Sequence, residues 1–217
     1  MRSRLFEGVP EETVARLLSR ARRRTFGKGE VVFHDGDPGD TLHLIDKGRF
    51  AVRVTTFHGD VATLVVVGEG DIFGELALLD VEAARSATVI ALEPATTRSI
   101  HRTDFEELRG QHPSVNDVLI SILSDKVRRY TDRLIEALYI PGEIRVLKRV
   151  LELADLYSPG TQVSVVSLTQ DDIAGLAGTS RATVNRVLRK EEERGHLRLD
   201  RGKIAILDKG AVERRAK

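Results

Sequence analysis

The chain has no cysteine among its 217 residues. That absence excludes thiol catalysis, disulfide staples and thiolate-held zinc or iron–sulfur clusters. It has no run of eighteen apolar residues and no charged-then-apolar leader ending in small residues, so no membrane span is expected and a cytoplasmic protein is. Its six histidines, His34, His43, His58, His101, His112 and His196, are scattered, with no pair at the spacing of a helical metal motif. No metal site is expected from them. Nor does the chain carry a carboxylate dyad, a nucleophile motif or a kinase or cyclase signature, so it does not read as an enzyme.

A net charge of +1 says little until it is divided along the chain. Residues 1–138 hold 19 Lys or Arg against 22 Asp or Glu, whereas residues 139–217 hold 15 against 11. The basic part is the one that could meet a polyanion.

The longest regular pattern lies at residues 114–138, between Pro113 and Pro141, with helical apolar spacing and no internal Gly or Pro. Ile120, Val127 and Leu134 repeat every seven residues, and Leu123, Tyr130 and Ala137 repeat beside them. This is the seam of a two-stranded coiled coil and makes the helix a candidate dimer axis, although a long helix lying on its own domain's core would use the same residues. With different patterns on its two sides, the helix divides the chain into residues 1–113, the helix itself at 114–138, and residues 139–217.

Residues 2–22 read as one or two short helices, the second starting at Pro10. From Arg24 short strands follow, at residues 31–33, 41–45, 50–54, 61–67, 87–92 and 96–100, cut by Gly-marked turns. Many short strands at such intervals argue for a sandwich or barrel. The series breaks once, at residues 68–79, where Gly68, Gly70 and Gly74 precede a short helix former at 75–79. A helix start behind glycine offers unpaired amides and therefore a possible anion site.

Beyond the central helix, residues 142–154 read as another helix, residues 163–166 as a short strand, and residues 168–189 as two helices around a tight turn at Gly178. Thr169 with Asp172 three residues on, and Ser180, are cap candidates. In a helix-turn-helix, the first helix braces the second, whose outer face enters the major groove. Ile173, Ala174, Leu176 and Ala177 would form the inner face of the first helix, and Val184, Val187 and Leu188 that of the second. The outer face and the helix starts then display Thr169, Gln170, Ser180, Arg181, Ala182, Thr183, Asn185, Arg186 and Arg189. Arginine can take both guanine acceptors at once, while hydroxyl side chains tend to fix phosphates. A hairpin at residues 196–206 reads as a wing, and Glu191 to Glu193 read as a solvated helix end.

Taken together, Phe73-Gly74-Glu75-Leu76-Ala77-Leu78, then Arg85-Ser86-Ala87, then the basic two-helix stretch, resemble the bacterial catabolite-activator family of transcription factors. This is also called the cyclic-AMP receptor protein and fumarate–nitrate regulator family, and the resemblance spans nearly the whole chain. It implies an α+β fold: an N-terminal β-barrel of the double-stranded β-helix type, a long dimerisation helix and a C-terminal winged helix-turn-helix. It further implies an allosteric ligand, cyclic AMP or cyclic GMP, a homodimer on a palindromic DNA operator, and RNA polymerase as a partner. In such a site Glu75 would accept from the ribose 2′-hydroxyl. Arg85, Ser86 and the amides of Gly74, Leu76 and Ala77 would bond the phosphate. Tyr130 and Thr131 match the family's base-contacting positions; Tyr130 departs from the usual threonine and either packs on the purine or serves the coiled-coil seam. Ala182 stands where close relatives carry a glutamate, which removes a carboxylate from the recognition helix. Asn185, where a small residue is more usual, contacts either an adenine or a phosphate. The iron–sulfur branch of the family requires cysteines, and the haem branch's ligands cannot be placed on these histidines. Two other functions stay open at this point, a regulator that ignores nucleotides and, more remotely, a nucleotide-gated enzyme.

Overall fold

The computed structural model describes residues 3–79, 84–161 and 163–217. The chain divides into two compact units, one of Met1–Val54 and Val65–Arg128, the other of Thr55–Leu64 and Arg129–Lys217.

The first unit begins with a 3-10 turn at Arg4–Phe6 and α1 at Glu11–Arg20, which follows Pro10 as N-cap. The strands are β1 Arg22–Phe26, β2 Val31–Phe33, β3 Thr41–Lys47, β4 Phe50–Thr55, β5 Val61–Val67, β6 Ile72–Phe73, β7 Thr88–Ala91 and β8 Ala95–His101. A four-residue helix, α2 at Leu76–Leu79, interrupts them, and α3 Arg102–Gln111 and α4 Ser114–Tyr139 follow. β1, β6 and α3 are not predicted by pattern; β6 is only two residues long. β1 starts with three arginines, and α3 is polar along most of its length, so neither shows apolar periodicity.

The closed barrel expected above is not what forms. The strands hydrogen-bond into two separate four-stranded sheets, ordered β1-β8-β3-β6 and β2-β7-β4-β5. Strand spacing is the same for a closed barrel and for two sheets; the difference is whether the edges pair. Here β6 is two residues long and β2 only three with an irregular register. Such short edges give closure almost no ladder to build on.

Phe26, Ile45 and Phe73 of the first sheet and Phe50, Val65 and Val89 of the second belong to one buried cluster. The other face of the first sheet is covered by helices, with Leu42, Leu44 and Ile100 packed among Leu5, Phe105 and Leu119. β3 is therefore buried on both faces, with alternate residues serving opposite cores, and a run rather than an alternation of apolar residues is the result.

The second unit holds the end of α4, then α5 Gly142–Tyr157, β9 Ser164–Val166, α6 Gln170–Ala177, α7 Arg181–Glu193, β10 Leu197–Asp200, β11 Lys203–Ile206 and α8 Lys209–Arg215. β10, β11 and β9 make one three-stranded antiparallel sheet. Val146, Val150, Ile173 and Leu188 fill its core. Three charged contacts cross from α4 to α5, Lys148 and Arg149 to Glu136 and Arg133 to Glu152 at 3.1 Å, and Arg149 also meets Glu152 within α5 at 3.1 Å.

On α4 the heptad residues Ile120, Val127 and Leu134 are 62%, 65% and 60% exposed in the single chain, which is far more than a helix resting on its own core would leave. No helix among the described residues is long and apolar enough to cross a membrane.

Phe50 meets Phe26 edge-on at 5.7 Å and Phe73 at 5.1 Å with no solvent exposure. Phe50→Ala should therefore lower the stability of the first unit by about 3–5 kcal/mol, read as a fall in its denaturant midpoint; a change under about 1 kcal/mol would mean that the two sheets do not share this core.

Candidate ligand pocket and nucleic-acid interface

The break in the strand series places Gly74, Glu75 and α2 beside Arg85. Gly74 has φ +81°, and a Cβ there would come within 2.6 Å of Arg85 Nη1, so glycine is needed twice over. The turn aims the Gly74 carbonyl at Arg85, whose Nη1 donates to it at 2.9 Å while Nη2 donates to Thr41 Oγ1 at 2.9 Å. The guanidinium carbon lies 4.1 Å from the Phe33 ring centroid, a cation–π contact. Arg85 is 4% exposed, forms no ion pair among the described residues, and its Nε has no partner. Burial lowers its pKa, and Asp40, Asp37 and Glu75 offset that in part. A buried cation served by neutral acceptors, with a donor to spare, suits a singly charged phosphodiester.

Glu75, 3% exposed, does not bond Arg85. Its Oε1 accepts from Lys126 Nζ of α4 at 2.6 Å. Leu76 is exposed and Ala77 buried at the start of α2, and Ser86 is exposed beside Arg85. Arg102 holds α2 from its far end, donating to the carbonyls of Leu78 at 3.0 Å, Gly39 at 2.9 Å and Ala77. These bonds satisfy carbonyls that a four-residue helix leaves open. Thr41, Phe33, Arg102 and Lys126 were not singled out in the sequence, since their sequence separations from Glu75 or Arg85 carry no local signal. Tyr130 and Thr131 stand further along α4 in the second unit, both with exposed side chains.

Deeper in the first unit, His43 is 1% exposed, stacked on Phe73 at 5.0 Å, with Nδ1 3.1 Å from Thr97 Oγ1. Burial, then the charges of Arg85 and Arg24, lowers its pKa to about 3.

In the second unit α6 starts with a full capping box between Thr169 and Asp172. It ends at Gly178 in the left-handed conformation, φ +58°, which makes the tight turn into α7. Ser180 caps α7 by accepting from the Thr183 amide at 3.2 Å. Ile173, Ala174, Leu176 and Ala177 are buried, as are Val184, Val187 and Leu188, so each helix buries the face its sequence assigns to the brace. Arg145 fixes the turn: Nε donates to Ala177 O at 2.8 Å, Nη2 to Gly178 O at 2.8 Å and Nη1 to Ile140 O at 2.7 Å. One guanidinium thus ties the end of α4 to the helix-turn-helix.

The outward side chains of α7 are paired. Arg181 meets Asp171 at 3.4 Å, Arg186 meets Glu143 at 3.1 Å, Arg189 meets Glu192 at 2.8 Å, and Asn185 donates to Gln170 Oε1 at 3.1 Å. Ala182 is exposed and Thr183 half-buried.

The solvated acidic end expected at Glu191 to Glu193 is corrected at its first two residues. Glu191 is 1% exposed and accepts from Arg194 at 2.6 Å, His196 at 2.7 Å and Arg215 at 2.9 Å. Burial alone would raise its pKa, and these hydrogen bonds reverse that. Glu192 accepts from the Leu199 amide at 2.8 Å, and only Glu193 is exposed.

A sensor unit with a buried cation beside a short helix, joined to a winged helix-turn-helix, defines a ligand-controlled DNA-binding regulator. Residues 23–112 match the model of the cyclic nucleotide-binding domain and residues 144–215 that of the Crp-like helix-turn-helix domain. The chain is 33% identical over 212 residues to the cyclic AMP receptor protein of Thermus thermophilus, covering 97% of this chain and 95% of that one. It is 30% identical over 223 residues to the CRP-like cAMP-activated global transcriptional regulator of Mycobacterium tuberculosis, covering 100% and 97%. The Thermus thermophilus catabolite activator protein structure superposes with a TM-score of 0.57 at 32% identity, over 99% of this chain and 98% of that one. FixK2 from Bradyrhizobium japonicum shares the fold at TM-score 0.78 and 18% identity, over 89% and 96%. The chain belongs to the cyclic-AMP receptor protein and fumarate–nitrate regulator family. It is a dimeric DNA-binding transcriptional regulator controlled by a cyclic nucleotide.

Gly74→Ala forces a left-handed backbone on a residue with a Cβ, about 1–2 kcal/mol of strain, and pushes on Arg85. Cyclic-nucleotide affinity should fall about tenfold or more by calorimetry; unchanged affinity would place the ligand elsewhere. His43 gives a pH test. In the unfolded chain histidine takes its proton near 6.5, whereas folded His43 stays neutral down to about 3, so protons favour unfolding throughout that window. Its contribution is complete above about 6.5 and fades as the pH falls, by about 1.4 kcal/mol per pH unit. Denaturant midpoints from pH 7 to about 4.5 should fall more steeply for the wild type than for His43→Phe; equal slopes would contradict the assignment.

Proposed function

We propose that the controlling nucleotide is cyclic AMP and that it is held in the first unit at Arg85. The observation that carries this reading is the Arg85 guanidinium itself, buried, with no ion pair and no partner for Nε among the described residues. The two relatives named for cyclic AMP support the choice of base. Arg85 and Ser86, with the amides of Gly74, Leu76 and Ala77, bond the phosphodiester. Glu75 turns one carboxylate oxygen to the ribose 2′-hydroxyl while Lys126 keeps its charge balanced. Tyr130 packs on the purine or on the seam, and Thr131 accepts from the exocyclic amine, which prefers adenine to guanine. We take residues 1–113 as the sensor, 114–138 as the dimer helix and 139–217 as the DNA-binding part.

The response is a population shift. Arg85 and α2 favour one of two arrangements when the phosphate is bound, and α4 passes that preference to α5 and the helix-turn-helix. In the dimer, two α7 helices then read half-sites about 34 Å apart on a two-fold palindrome, in the cytoplasm and beside RNA polymerase. Arg181 and Arg186 read guanines; Thr169, Gln170, Ser180, Thr183 and Arg189 fix phosphates, with Asn185 on an adenine or a phosphate. Ala182 at most touches a thymine methyl.

Calorimetric titration with cyclic AMP and cyclic GMP, beside a mobility-shift assay on duplexes selected from a randomised library, tests this. Cyclic AMP should bind more tightly and raise DNA affinity; cyclic GMP performing equally would remove the base assignment. Arg85→Leu should abolish the nucleotide response and leave residual DNA binding; loss of all DNA binding would make Arg85 a folding residue. Arg181→Ala should cost about 1–3 kcal/mol and flatten preference at one guanine; a uniform loss over all duplexes would make it a phosphate contact.

A further inference from the structure

We propose that Glu143, at the start of α5, is a positioning residue for DNA readout: it tethers the Arg186 guanidinium from outside the recognition helix. The inference rests on the reading of α7 as the recognition helix.

Glu143 Oε1 lies 3.1 Å from Arg186 Nη2. The two side chains are 50% and 67% exposed, and so open a pair adds little to stability. What the contact does is restrict a long side chain that would otherwise sample many rotamers. The restriction has something to act against. The pair lines a cavity of about 110 Å³ together with Ile144, Leu147, Val187, Lys190, Glu191 and Arg215, which leaves Arg186 room to swing once untethered.

One carboxylate contact through Nη2 leaves the other guanidinium donors for the two acceptors of a guanine. The neighbouring arginines are served differently, Arg181 by Asp171 of α6 and Arg189 by Glu192 within its own helix. Ala182 can serve none of them. Glu143 also sets a negative charge near the phosphates, which disfavours non-specific binding. Both effects act in one direction on the ratio of specific to non-specific affinity.

The experiment uses the full-length dimer with saturating cyclic AMP. A randomised duplex library is selected with the wild type, and affinities are then measured for the winning duplex, for each single base-pair change in it, and for an unrelated duplex. The variants are Glu143→Gln, Arg186→Gln and the double substitution, each checked for an unchanged melting temperature. Arg186→Gln should flatten preference at one base pair per half-site. Glu143→Gln should reduce discrimination at that same base pair about fivefold or more, hold or raise affinity for the unrelated duplex, and add nothing on top of Arg186→Gln. A uniform loss over all duplexes, an equal loss in the Arg186→Gln background, or tighter specific binding would overturn the proposal. If Arg186→Gln flattens a position and Glu143→Gln does not, only the positioning role fails. If Arg186→Gln changes no preference, base reading by Arg186 and the proposal fail together.

Discussion

A guanidinium buried with no carboxylate bonded to it among the described residues is the constraint around which the first unit is built. Arg85 is desolvated enough for its pKa to be lowered, yet its bonds go to a backbone carbonyl and a hydroxyl, with the Phe33 ring beneath. Buried charge without an opposite charge is costly, and a structure that keeps one has a use for the deficit. The surroundings follow from it. Gly74 turns its carbonyl inward only because it adopts a positive φ, and Arg102 pins α2 so that Glu75 stays beside Arg85 without collapsing onto it. Lys126 occupies Glu75 from α4, which ties that helix directly to the surroundings of Arg85.

The second unit uses arginine in the opposite way. Arg145 is spent entirely on carbonyls, and it makes the turn at Gly178 and the end of α4 at Ile140 one rigid piece. Glu191 does the same for the wing, drawing Arg194, His196 and Arg215 from three places to one buried carboxylate. Arg181 and Arg189 of α7 are by contrast exposed and lightly paired, so exchanging their carboxylates for DNA costs little. Rigid scaffold and exchangeable surface contacts are thus divided between buried and exposed ion pairs.

The helix-turn-helix was legible because its determinants are local. The apolar spacing of Ile173, Leu176, Val184 and Leu188, the cap at Thr169 and the glycine at 178 are all read within twenty residues of chain. Glu75 and Arg85 were found as a motif, and their true partners were not. Lys126 bonds Glu75 from 51 residues away and Thr41 bonds Arg85 from 44, separations at which no periodicity speaks. The two-sheet arrangement was missed for the same reason, since edge pairing is decided by strands far apart in sequence. Glu191 reads as solvent-exposed until Arg215 of α8 is folded back onto it.

The central claim is that Arg85, which has no ion pair among the described residues, is completed by a cyclic phosphate. A crystal structure of the full-length protein with saturating cyclic AMP tests this most directly. The account predicts Arg85 donating to the phosphate and Glu75 accepting from the ribose 2′-hydroxyl. Glu75 and Arg85 bonded to protein groups alone, with no nucleotide between them, would contradict it.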